Sequence, residues 1–140
     1  MSELKNQISQ FIDTNAKIYQ DISLAIHAKP EVSDFEYFAS QTLSEQLKKE
    51  GFEIELPAAG HRTGFAATYK SNKPGPTVVF LAEYDALAGL GHGCGHNVFG
   101  ATSSLAGAAL KSVVDQIGGE VRVYGTPGDC LLYTSDAADE

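Results

Sequence analysis

Between Thr77 and Pro127 the chain reads "TVVFLAE", then "YDALAGLGHGCGH", then "NVFGATSSLAGAALKSVVDQIGG", then "EVRVYGTP". This is an apolar run, a glycine-rich loop, a helix of small residues and a second apolar run. A strand, a helix and another strand in that order predict a right-handed parallel crossover, and hence an α/β domain. Ala101, Leu105, Ala108 and Val113 give the helix its inward face, and Gly118-Gly119 ends it. The first strand is continuously apolar, as expected of a strand covered on both faces. Ligands in open α/β sheets bind at the carboxyl ends of strands. The glycine-rich loop and "GTPGD" both follow such ends, so the two are expected on one rim.

The preceding residues supply the other layers. From about Leu4 to Ala28, Ile8, Phe11, Ile12, Tyr19, Ile22 and Ile26 fall on one helical stripe, which Pro30 terminates. Ser33 with Glu36 three residues on has the form of a capping box opening a second helix. Phe35, Phe38, Ala39, Leu43 and Leu47 would form its buried face, and Gly51 its end. "FEIEL" and "GFAATYK" read as strands, the latter followed by the turn-rich "SNKPGP". No internal repeat is visible.

At 140 residues, 43% apolar and 20% charged, the chain has the size and composition of one globular domain. A net charge of −8 disfavours nucleic acid and anionic membrane as partners. No apolar run approaches membrane-spanning length, and "MSELKNQISQF" lacks the pattern of a secretory signal. Cys94 and Cys130 make no disulfide framework, so a reduced, cytoplasmic setting is expected. The tail reads differently. "CLLYTSDAADE", residues 130–140, resembles an in-frame translation of a transposon-end sequencing adapter, with all eleven residues fitting one frame. On that reading 130–140 are not native, and 1–129 are the N-terminal portion of a longer catalytic domain. A natural, unstructured acidic terminus is the alternative.

The glycine-rich loop admits several chemistries. Gly89, Gly91, Gly93 and Gly95 alternate with single residues, and Val98 stands three after Gly95, so the dinucleotide fingerprint G-x-G-x-x-G fails. The P-loop, H-E-x-x-H and G-x-S-x-G patterns are absent, and Cys94 has no C-x-x-C partner. Cys94 and His96 offer a thiolate and an imidazole on either side of a flexible glycine, a pair suited to zinc, while imidazole also accepts manganese. A helix N-terminus just beyond would favour the thiolate. Glu83 and Asp85, two apart at the strand end, could orient a ligand histidine or manage a water. The bland readings stand beside these: Cys94 as a buried cysteine next to an incidental histidine, and Asp85 as a turn or cap residue. His92 is a ligand or a loop residue, His27 a helix-end cap, and His61 a solvated turn residue.

Taken together, "LAEYDALAGLGHGCGHN", "GTPGD" and "LAIHAKPEVSDFEYFASQTLSEQLKKEGFEI" resemble the aminoacylase/carboxypeptidase family of metallopeptidases and amidohydrolases. The resemblance runs from about Ile18 to Asp129 and is strongest to the p-aminobenzoyl-glutamate hydrolase and Xaa-Arg dipeptidase-like branch. It implies the N-terminal part of a zinc-peptidase-like catalytic domain, with a mixed central sheet, helices on both faces, and an inserted dimerisation domain lying further on. It implies hydrolysis of an amide bond in a dipeptide or N-acyl amino acid, with zinc or manganese, up to two ions, in a homodimeric full-length protein. It implies Cys94 and His96 as metal ligands, Asp85 as the carboxylate supporting the centre, and position 129 as the general base. The family's motif there is G-T-P-x-Glu-Glu, whereas this chain reads Gly125-Thr126-Pro127-Gly128-Asp129-Cys130. If adapter sequence completed codon 129, Asp129 stands for a truncated glutamate; a divergent Asp–Cys member is the rival. The 140-residue chain alone is expected to be inactive. Two other classes compete: a non-catalytic α/β domain holding a nucleotide or small anion on the glycine loop, and a redox sensor built on Cys94.

Overall fold

The computed structural model describes residues 2–129; the reading of 130–140 as an adapter translation falls outside them. Seven elements follow in order: α1 (Glu3–Ala28), α2 (Tyr37–Lys49), β1 (Glu53–Glu55), β2 (Phe65–Lys70), β3 (Thr77–Ala82), α3 (His96–Ile117) and β4 (Glu120–Gly125). The sheet order is β1-β2-β4-β3. β3 and β4 are parallel, with Val78 opposite Val121 and Ala82 opposite Gly125. β2 runs antiparallel to β4, and β1 antiparallel to β2. The parallel crossover expected from the sequence is therefore present, with α3 as its helix, and the sheet is mixed.

Alternation along the strands sorts the sheet into two unlike faces. Phe65 and Ala67 on β2, Val121 and Val123 on β4, and Ala82 on β3 are buried against the helices. α3 lies directly on this face. A Cβ at Gly107 would sit 2.4 Å from a Val123 methyl, so only glycine lets helix and sheet approach so closely. α1 then packs on α3 through Tyr19, Ile22 and Ile26, the last fully buried. Each such side chain contributes roughly 1.5–3 kcal/mol through its burial.

Two expectations are corrected. α2 begins at Tyr37, and neither Ser33 nor Glu36 makes the capping-box bonds. The carboxylate of Glu31 takes that part instead, accepting the backbone N–H groups of Phe38 and Ala39 at 3.0 Å each. Released from capping, Ser33 and Glu36 turn inward, while Phe35 is 55% exposed rather than part of the buried face. Second, β3 is an edge strand among the described residues. Its apolar run leaves Val79 and Leu81 43% and 52% exposed, so an all-apolar pattern did not mean cover on both faces here. The described helices pack on one face of the sheet. No helix among them is long and apolar enough to cross a membrane.

Candidate metal centre

The carboxyl end of β3 runs on into Glu83, Tyr84 and Asp85. Tyr84 is fully buried, stacked on Phe65 with ring centroids 5.9 Å apart. That anchor fixes the backbone on both sides of it. The first turns of α3 press against the same segment, since a Cβ at Gly100 would lie 2.7 Å from the Glu83 carbonyl oxygen. His96, the first residue of α3, is thereby set between the two acidic side chains. Gly95 caps the helix at φ 77°.

The imidazole of His96 is nine-tenths buried, and its two nitrogens face different surroundings. Nδ1 lies 2.7 Å from Asp85 Oδ1 and 3.1 Å from the Asp85 carbonyl oxygen. Both neighbours can only accept from it when Asp85 is ionised, so Nδ1 carries a proton, and in the neutral ring Nε2 is the nitrogen left with a lone pair. Asp85 is itself held, buried, by the Ser33 hydroxyl at 2.8 Å. Nε2 faces Glu83 Oε2 at 3.1 Å and Asp129 Oδ2 at 3.7 Å. One donor atom from each of Glu83, His96 and Asp129 lies within 4.8 Å of the others. Burial, then the charges of Asp129 and Asp85, push the Glu83 carboxyl above its usual range, against the opposing pull of His96. Carboxylates this close repel one another, and a divalent cation would relieve that. The donor set of one imidazole and two carboxylates suits zinc or manganese. A histidine whose second nitrogen donates to a buried carboxylate is also how ligand histidines are oriented.

The structure thus brings together three of the four site residues read from the sequence: Asp85, His96 and Asp129. Cys94 is exposed and outside the group of three converging donors. Glu83, read from the sequence only as an accessory acid, is a full member of that group. Its signal was available in its two-residue spacing from Asp85. Glu36 was read from the sequence only as a capping-box residue: it is fully buried, accepts a 2.7 Å hydrogen bond from Thr63, and burial followed by the charge of Asp85 raises its carboxyl pKa. Of the remaining histidines, His92 stacks on His27 with centroids 6.2 Å apart, and burial lowers its pKa. His61 is exposed. The carboxylates of Glu83 and Asp129 beside His96, the first residue of α3, disfavour an anion at that helix start.

The fold and this rim define a class: α/β domains that gather imidazole and carboxylate donors at the end of a parallel strand pair. No family model matches the chain. It is 32% identical over 92% of its length to one component of the p-aminobenzoyl-glutamate hydrolase of Escherichia coli, covering 30% of that protein. It is 34% identical over 90% of its length to the Xaa-Arg dipeptidase of Mus musculus, covering 32% of it. Among solved structures, it matches a chain from methicillin-resistant Staphylococcus aureus with TM-score 0.76 and 27% identity, over 88% of this chain and 35% of that one. A dinuclear metal-binding M20-family peptidase from Bacillus subtilis matches with TM-score 0.68 and 25% identity, over 83% and 36%. The chain spans about a third of the length of the curated relatives it matches. It belongs to the amidohydrolase and peptidase branch that these relatives represent.

Proposed function

We propose that the full-length protein is a metal-dependent hydrolase of the amide bond in a dipeptide or N-acyl amino acid. The observation that supports this most is the His96 imidazole, proton-bearing on the Asp85 side and facing two carboxylates with its other nitrogen. In this reading His96 and Glu83 hold the cation, and Cys94, two residues before His96, adds a thiolate donor as the family resemblance implies. Bound there, zinc or manganese would polarise the scissile carbonyl and acidify water. Asp85 keeps the imidazole in its ligand tautomer. The carboxylate at position 129 is half exposed, as a group that must meet water and substrate should be. It takes the proton from the attacking water and returns it to the leaving amine. A neutral leaving amine requires that second transfer, so one carboxylate serves as base and then as acid.

Residues 1–129 are, in this reading, the N-terminal portion of the catalytic domain. Position 129 stands for a glutamate, 130–140 are not native, and the whole protein is a cytoplasmic homodimer. Reading the gene through codon 129 tests the first part: Glu-Glu after Gly128 is expected, and a genomic Asp-Cys contradicts it. Function is tested with the full-length protein, metal analysis and a panel of dipeptides and N-acyl amino acids. Metal-dependent release of the free amino acid is expected; a metal-free protein that cleaves nothing in the panel overturns the proposal.

A further inference from the structure

Cys94 and His96 lie on a segment whose two ends touch the same stretch of α1. At one end Asn97 is buried, and its side-chain amide donates to the Ser23 carbonyl at 3.3 Å and to the Ser23 hydroxyl at 3.1 Å. At the other end the ring of His92 stacks on that of His27, with an angle of 29° between the planes. Ser23 and His27 stand four residues apart on α1 and so share one of its faces. The contacts continue in the same reversed order beyond the end of the helix. The Ala86 N–H donates to the Glu31 carbonyl at 2.8 Å, and the Ser33 hydroxyl donates to Asp85 at 2.8 Å. Residues 23–33 therefore run beside 85–97 from one end to the other.

Between these ties the glycine-rich loop closes on itself. Leu87 and Gly91 exchange backbone hydrogen bonds at 2.9 and 3.0 Å, and the Gly95 N–H donates to the His92 carbonyl at 3.2 Å. Both ring nitrogens of His92 are buried without a hydrogen-bond partner among the described residues. Its polar atoms thus fasten the loop to nothing there, and the ring face on His27 is its tie to α1. Glycine at 91, 93 and 95 leaves the free backbone a wide choice of conformations, which contacts from outside the loop must narrow. We propose that Ser23 and His27 are positioning residues: from one face of α1 they clamp the two ends of segment 92–97, and so set where Cys94 and His96 present their sulfur and nitrogen. That the donors so placed hold a metal rests on the function proposed above, but the clamp itself does not.

The test separates the two. Hydrogen exchange of the peptide spanning residues 88–95 is followed in the metal-free full-length protein for wild type, His27→Ala, His27→Phe, Asn97→Ala and the double variant His27→Ala/Asn97→Ala. Phenylalanine keeps a flat ring for His92 to stack on, and alanine does not. Alanine at 97 removes the amide that reaches Ser23. Exchange at 88–95 is expected to be about 2–10-fold faster in each alanine variant, the range for one lost ring stack or hydrogen bond. It should be faster still in the double variant and close to wild type in His27→Phe, with the first half of α1 and β4 unchanged in all. Unchanged exchange at 88–95 in the double variant overturns the proposal. So does an increase shared equally by α1 and β4, which marks a general loss of helix packing. Should Asn97→Ala fail to fold, the exposed His27 carries the same two outcomes through His27→Ala and His27→Phe. In a separate cobalt(II) titration, the double variant is expected to bind about 10–100-fold more weakly than wild type, the range for lost supporting contacts around a metal. Equal affinities in the two would overturn the positioning of the donors. A wild type that binds no cobalt counts against the metal reading alone, since the exchange result stands without it.

Discussion

The two sides of the candidate centre are built on opposite principles. Glu83, Asp85 and His96 sit on a strand end and a helix start that are locked by Tyr84, by the close approach at Gly100 and by the Ser33 bond to Asp85. Cys94, on the glycine-rich loop, and Asp129, directly after Gly128, are exposed. The anchored side defines geometry before any ligand arrives. The exposed side is open to solvent. Preorganisation on one side and access on the other is what metal-assisted hydrolysis asks of a site.

Substitutions on the anchored side should therefore cost more than those on the exposed side, and the contrast can be broken in order of effect. His96→Ala, measured by metal content and by cobalt titration of the full-length protein, is expected to weaken binding by more than about 100-fold, since it removes a ligand rather than a ligand's support. Cys94→Ala should lower affinity as well, by less. Equal losses in the two would show that the exposed thiolate is as well placed as the buried imidazole. Asp85→Asn leaves the shape but no longer fixes the imidazole proton, and about 10–100-fold weaker metal binding is expected, with folding retained. Gly100→Ala forces a Cβ to within 2.7 Å of the Glu83 carbonyl oxygen. It should destabilise by about 1–3 kcal/mol in chemical denaturation, as overpacking does.

The smallest effect is a dependence on pH. Burial raises the Glu36 carboxyl above its ordinary value of 4.5. Between that value and the raised one the folded state binds more protons than the unfolded state, so metal-free stability falls as pH rises through this window. Glu36→Gln, which cannot titrate, should flatten that fall in denaturation curves taken at several pH values. An unchanged slope would mean that Glu36 ionises alike in both states.

Much of this arrangement was legible in the residues. The stripe from Ile8 to Ile26, the helix from Asn97 and the parallel crossover follow from periodicity and order, which are local properties. The sequence pointed to Cys94 and His96 as a thiolate–imidazole pair, with Glu83 and Asp85 as accessory acids at the strand end. What could not be read was which groups meet across long separations. Glu31 and Glu36 are both near the start of α2, and nothing local says that Glu31 caps the helix while Glu36 turns inward to Thr63. Likewise, apolar residues at Val79 and Leu81 report that a strand can be covered, while its place at an edge depends on pairing. The equal promise of Cys94 and His96 in the sequence separated only when α3 began at His96 and left Cys94 on the loop.

The central claim is that the nitrogen of His96 turned away from Asp85 is a metal donor. Cobalt(II) titrated into the full-length protein at neutral pH, beside Asp85→Asn and His96→Ala, tests it most directly. The account expects a saturable absorption spectrum in the wild type, a weakened one in Asp85→Asn and none of comparable affinity in His96→Ala. Identical spectra and affinities in all three would contradict it.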